Sequence, residues 1–135
     1  MRGSVAALLA ALAAMAVAQE SRSVWDGVFT EAQSDRGKAV YASACASCHG
    51  DTLGGGESAP PLVGDGFLAN WNGLTVGDLY DRIRVSMPQD NPGRLTRQQD
   101  ADVVAYMLAF NQFPAGKTEL DTHSEVLKQI QIRSK

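Results

Sequence analysis

Residues 41–50 read YASACASCHG. They hold both cysteines of the 135-residue chain, Cys45 and Cys48, and one of its two histidines, His49. The pattern is C-x-x-C-H, and its reading decides the fold. A zinc site needs four ligands of the Cys/His type. The chain offers these three and the distant His123, and adjacent Cys48 and His49 are poorly placed for one tetrahedron. A thioredoxin-like redox pair opens a helix in a βαβ setting. Here the pair follows a helical pattern, and no segment alternates as a strand does. A plain disulfide between Cys45 and Cys48 leaves His49 unexplained.

The remaining reading is covalent attachment of a c-type haem. Two thiols add across the two vinyl groups of haem, so they must lie a fixed distance apart. A histidine directly after the second thiol drops its imidazole beneath the iron. This reading uses all three residues. It also supplies a large apolar disc around which a short, loop-rich chain can fold.

The start of the chain agrees. Arg2 precedes an uncharged apolar run, Val5–Val17, which closes on Ala16-Val17-Ala18. That is the pattern of a secretory signal peptide, residues 1–18, with cleavage after Ala18. The run is shorter than the roughly 20 residues of a spanning helix, so no integral membrane segment is expected after cleavage. Export places the protein where haem c is attached. A formal net charge of −3 and the lack of a Lys/Arg stripe argue against a nucleic-acid partner. The composition, 44% hydrophobic and 20% charged, fits one small globular domain.

Beyond the leader, residues 19–33 read as an N-terminal arm with Val24, Trp25 and Phe29 as its apolar residues. Residues 34–113 form the central domain, and 114–135 a C-terminal tail. Thr30-Glu31-Ala32-Gln33 has the form of a capping box and opens a helix to about Ala44, with Gly37, Val40, Tyr41 and Ala44 on one face. Glycines and prolines make 50–66 a loop, with a helical turn at 67–71. Thr75–Asp78 starts a helix to about Val85, with Leu79, Tyr80 and Ile83 inward. Pro88 stops it. Thr96–Gln99 is a second T-x-x-Q box and opens a helix ending near Asn111. Val103, Met107 and Phe110 line its apolar face, and Gln98 and Asp102 its polar one. Thr122–Glu125 has the form of a third box, before a short helix with Val126, Leu127 and Ile130. The class is all-α: three to five helices with long loops around a covalently bound haem.

The second axial position of the iron determines function. Met107 lies at core spacing inside a helix. Met87 ends a helix in Ser86-Met87-Pro88, where a loop thioether can turn to a metal while the proline limits its freedom. A thioether is a soft ligand that favours Fe(II) and raises the reduction potential. Met87 is the expected ligand. The alternatives are an open position, or His123 from the tail.

These residues resemble the monohaem class I cytochromes c of the bacterial periplasmic type, over roughly 34–111. Gly37 and Tyr41 stand eight and four positions before Cys45, and Val103 and Tyr106 fit the positions that cross them. Pro60-Pro61-Leu62-Val63-Gly64 fits the P-x-L-x-G loop, and Met87-Pro88 the axial methionine. The resemblance implies that the Pro60 carbonyl accepts the Nδ1 hydrogen of His49, and that Trp71 is either a propionate donor or a core aromatic. It implies a periplasmic electron carrier, not an enzyme, holding one iron on one haem c through Cys45 and Cys48. A periplasmic dehydrogenase would be its donor and a terminal oxidase or another cytochrome its acceptor. A weaker likeness, in the Trp25 arm and the NWNGLT stretch, is to cytochromes associated with quinoprotein alcohol dehydrogenases. The alternatives are the haem subunit of a periplasmic dehydrogenase, or a small peroxidase-like haem enzyme.

Overall fold

The computed structural model describes residues 21–135, so the leader expected at 1–18 lies outside the described residues. The chain runs β1 (Arg22–Ser23), α1 (Glu31–Ala44), α2 (Ala46–His49), α3 (Gly64–Trp71), α4 (Val76–Ser86), α5 (Arg97–Phe110), α6 (Ser124–Leu127) and β2 (Ile130–Gln131). The all-α class holds. Six helices are described instead of three to five, because α2 and α6 are single turns of 4 residues. The turn expected at 67–71 begins at Gly64.

Capping fixes the helix starts. At α4 the Thr75 and Asp78 side chains serve each other's backbone N–H, and at α5 Thr96 and Gln99 do the same. At α1 the box is half made. Thr30 Oγ1 accepts from Gln33 N at 3.1 Å, but the Gln33 side chain turns away. It is fully buried and pairs with the tail, donating to Leu120 O at 3.1 Å and accepting from Leu120 N at 2.7 Å. The third box does not form. The N-cap of α6 is His123, without a side-chain cap, and Ser124 Oγ instead donates to Asp81 of α4 at 2.7 Å.

The core is organised by the crossing of α1 and α5. A Cβ added at Gly37 would land on the Asp102 carbonyl oxygen and lie 2.9 Å from Tyr106 Cβ. Only glycine allows backbones this close, which is why a helix interior tolerates its propensity cost. One turn on, the Tyr41 and Tyr106 rings pack 5.4 Å apart. Asp102 is not on a solvated face as its polarity suggests. It is 4% exposed, because Arg36 grips both its oxygens at 3.1 Å and Gln98 donates at 2.8 Å. Met107 is buried, as its spacing predicts.

Arm and tail close on each other over this crossing. β1 pairs in parallel with β2, in register Arg22↔Ile130. Ile130, expected in the last helix, therefore lies in a strand. Trp25 packs edge-on to Phe113, centroids 4.8 Å apart, and its Nε1–H donates to Arg133 O at 2.9 Å. Val24, Val28 and Phe29 of the arm join Leu120, Leu127, Ile130 and Ile132 of the tail in the same core as α1 and α5. Among the described residues no helix is long and apolar enough to cross a membrane.

Gly37→Ala is expected to destabilise the fold by about 1–3 kcal/mol, since overpacking against a backbone carbonyl outweighs the gain of alanine in a helix. The denaturant midpoint should fall at unchanged slope. An unchanged midpoint would mean that α1 and α5 separate freely and that the crossing is not tight.

Candidate haem-binding site

α1 stops at Cys45, whose backbone (φ −125°, ψ −36°) leaves the helix. Its carbonyl then accepts from both Cys48 N (3.2 Å) and His49 N (3.0 Å), which makes the single turn α2. The two cysteines are not joined to each other, Cys45 half-buried against the core and Cys48 exposed. Burial pushes the Cys45 thiol up to about 11, with nearby Asp100 adding to the rise against Arg94. A redox-active C-x-x-C pair needs a lowered thiol, so this thiol's surroundings are wrong for thioredoxin-like chemistry. Among the described residues no group of three or more His, Cys, Asp or Glu could hold a metal ion.

His49 is 8% exposed. The loop after it is shaped to bring Pro60 back to the ring. Gly50 (φ 84°) and Gly55 (φ 79°) take left-handed turns, and a Cβ at Gly55 would lie 2.7 Å from both Ala59 O and Pro61 N. Gly55 N donates to His49 O at 2.8 Å and Leu62 N to Leu53 O at 2.7 Å, while Tyr41 Oη anchors Gly50 O at 2.7 Å. Leu53, fully buried, also adopts positive φ (61°). The result is a 2.9 Å hydrogen bond between His49 Nδ1 and Pro60 O. A carbonyl can only accept, so Nδ1 carries the hydrogen. In the neutral ring Nε2 is then the bare nitrogen with a free lone pair. This is the tautomer a haem iron needs.

Met87 is the C-cap of α4, half-buried against the apolar core. Its N–H donates to Ile83 O at 2.9 Å and its carbonyl accepts from Gly93 N at 3.2 Å, which fixes the backbone on both sides. Pro88 is buried. Trp71 ends α3 half-buried against the same core, and its indole N–H makes no hydrogen bond among the described residues. Arg84 of α4 is engaged by Asp100 at 3.0 Å. His123 stands exposed on the tail, its Nδ1 2.7 Å from Asp121. So the structure joins His49 directly to Pro60, and packs Cys45, Trp71 and Met87 on one apolar core with Leu62 and Leu68. Cys48 faces outward. The donor set, two unpaired thiols, a bare imidazole nitrogen and a soft thioether, fits a covalent haem. Tyr41, through its hydroxyl, and Asn111, which bonds the 62–64 segment, belong to the scaffold of this site, and no local motif marks either role.

A C-x-x-C-H turn placed by two closely crossing helices defines a c-type cytochrome domain. The chain belongs to the family described as cytochrome c oxidase, cbb3-type, subunit III, whose model matches residues 32–107. As a member of that family it carries a covalently attached c-type haem with its iron. It is 40% identical over 80 residues to the thiosulfate dehydrogenase of Stutzerimonas stutzeri (strain A1501), covering 53% of this chain and 25% of that protein. It is also similar to a chain in the crystal structure of the sulfane dehydrogenase SoxCD from Paracoccus pantotrophus, with a TM-score of 0.56 and 25% identity, covering 79% of this chain and 61% of that one. The chain thus spans about a quarter of the curated relative and less than two thirds of the solved one.

Asp100 gives this region a measurable pH signature. Its side chain is 1% exposed, and Oδ1 has no partner among the described residues. Burial pushes it up to about 6 despite Arg84. A raised carboxyl favours the protonated fold, so its contribution is full below about pH 4 and is lost as pH rises through about 6. Relative to Asp100→Asn, the wild type should lose stability between about pH 4 and 6, read from urea midpoints. A constant difference across that window would put Asp100 in an ordinary, hydrated setting.

Proposed function

We propose that the haem is attached through Cys45 and Cys48 and that His49 and Met87 are its axial ligands. The observation that carries this is the His49–Pro60 hydrogen bond, which fixes the ring tautomer and leaves Nε2 for the iron. When bound, the haem supplies a one-electron Fe(III)/Fe(II) couple. The protein's part is to hold both ligands through the redox change. Pro60 orients the imidazole, and the backbone bonds of Met87 hold the thioether loop. The indole N–H of Trp71, without a partner among the described residues, suits a propionate oxygen.

With both axial positions filled, the protein is an electron carrier without a reaction of its own, working in the periplasm behind a cleaved leader. Its donor is a dehydrogenase and its acceptor a terminal oxidase or another cytochrome. The matched relatives are named for thiosulfate and sulfane, so a dehydrogenase of small inorganic sulfur compounds is the donor to test first. A second reading, the haem subunit of such a dehydrogenase, is favoured by one observation: both matched proteins are dehydrogenases longer than this chain.

The ferric protein should show the weak far-red absorption band of methionine sulfur on haem iron. Met87→Ala should abolish it, lower the reduction potential, and let the reduced form bind CO. A wild type that lacks the band and binds CO readily would overturn Met87 as ligand and bring the enzyme alternative forward. Cys45→Ser should leave a haem bound by one thioether, visible as a shifted reduced pyridine-haemochrome spectrum. A spectrum identical to wild type would exclude Cys45 from attachment.

A further inference from the structure

Asn111 follows α5, and none of its neighbours in sequence marks it as functional. Its carboxamide makes three hydrogen bonds. Nδ2 donates to Leu62 O at 2.9 Å and to Met107 O at 2.8 Å, and Oδ1 accepts from Gly64 N at 2.9 Å. The orientation is unambiguous, since Gly64 N–H can only donate and the two carbonyls can only accept. The side chain thus grips both sides of Val63 and ties that backbone to the end of α5, where Met107 is buried in the core. Apart from the helix bonds of α3, the other hydrogen bonds of residues 53–64 stay within the stretch 49–67. They shape the loop but do not moor it to the helical core.

We infer that Asn111 is a positioning residue for His49. By mooring Leu62 and Gly64 to α5, it holds the Pro60 carbonyl two residues upstream at the distance that orients the imidazole. The circuit is closed. α1 carries Cys45 and α2 carries His49, Pro60 meets His49, Asn111 joins the Pro60 segment to α5, and α5 packs back on α1. Freeing the Asn111 contacts lets the Pro60 carbonyl drift from Nδ1–H. A weaker hydrogen bond makes the imidazole a poorer electron donor. That stabilises Fe(III) less, and the reduction potential rises.

The inference rests on His49 as an iron ligand, and the experiment separates the two. The holoproteins of wild type, Asn111→Ala and Asn111→Asp are compared with Gln33→Ala. The last loses two buried hydrogen bonds to the tail, away from the Pro60 loop. Asn111→Asp keeps the size and the acceptor for Gly64 N–H but loses the donor to Leu62, and so serves if the alanine variant does not fold. The readouts are the reduction potential and the solvent exchange of the His49 Nδ1 proton, by nitrogen-edited NMR of the reduced protein. Asn111→Ala should raise the potential, and both Asn111 variants should speed exchange by about five- to tenfold, the factor expected for one hydrogen bond of ordinary net strength; the added charge of the Asp variant itself lowers the potential, so exchange is its readout. Gln33→Ala should lower the melting temperature and change neither readout. Asn111 variants that only melt earlier, with potential and exchange as in wild type, would overturn the inference while leaving His49 as ligand. A wild type whose iron is not bound by His49 would overturn both.

Discussion

Everything in this fold hangs on the contact of two backbones, that of α1 at Gly37 with that of α5 at Asp102 and Tyr106. Glycine removes the side chain that would hold the helices apart, and the crossing then sets the direction in which α1 delivers Cys45. The polar groups at the crossing are held as firmly as the apolar ones. Asp102 is buried between Arg36 and Gln98, and Arg36 reaches on to Glu119 of the tail at 2.8 Å. A buried carboxylate with a bidentate arginine cannot slide along its partner helix without leaving a charge unpaired. The register of α1 on α5 is therefore fixed twice, by shape at Gly37 and by charge at Asp102.

The site inherits this rigidity through backbone, not through long side chains. Cys45 ends one helix and its carbonyl starts the next turn, so His49 is only four residues from α1. Tyr41, on the face of α1 that packs on α5, spends its hydroxyl on Gly50 and so fixes the residue after the histidine. Met87 comes from a separate helix and is held by its own N–H and carbonyl. Two proposed ligands from independent elements, each tied by main-chain bonds, suit a centre whose geometry must change little between oxidation states. Small reorganisation is what fast electron transfer requires.

What could be read in the sequence is what depends on near neighbours. C-x-x-C-H is a five-residue pattern, and the Thr96–Gln99 box caps its own helix within four. Gly37 and Tyr41 could be placed through their spacing from Cys45. The long-range polar groups could not. Gln33 has the right spacing for a capping box but serves Leu120, 87 positions away. Asp102 reads as a solvated helix residue because its partner Arg36 is 66 positions off. Asn111 reads as a helix end, yet its Leu62 and Gly64 partners lie 49 and 47 positions earlier. Periodicity assigns polar residues to water by default. It has no means of seeing that a distant backbone group, once buried, must find a partner.

The pairing of β1 with β2 has a consequence for how the molecule opens. Trp25 and Arg133 are bonded across 108 positions of chain. Closing a loop of that length costs only a little more than closing a shorter one, since the cost grows logarithmically. It must still be met before the few bonds of a two-residue pair return anything. The clasp therefore forms on a helical core that already exists, and it is among the first parts to be lost. The tail has further anchors, Ser124 on Asp81 and Ile132 N on Leu74 O, whereas the long-range backbone bonds of the arm run to the tail. Amide protons near residue 24 should therefore open to solvent at a lower free energy than those of α1 or α5.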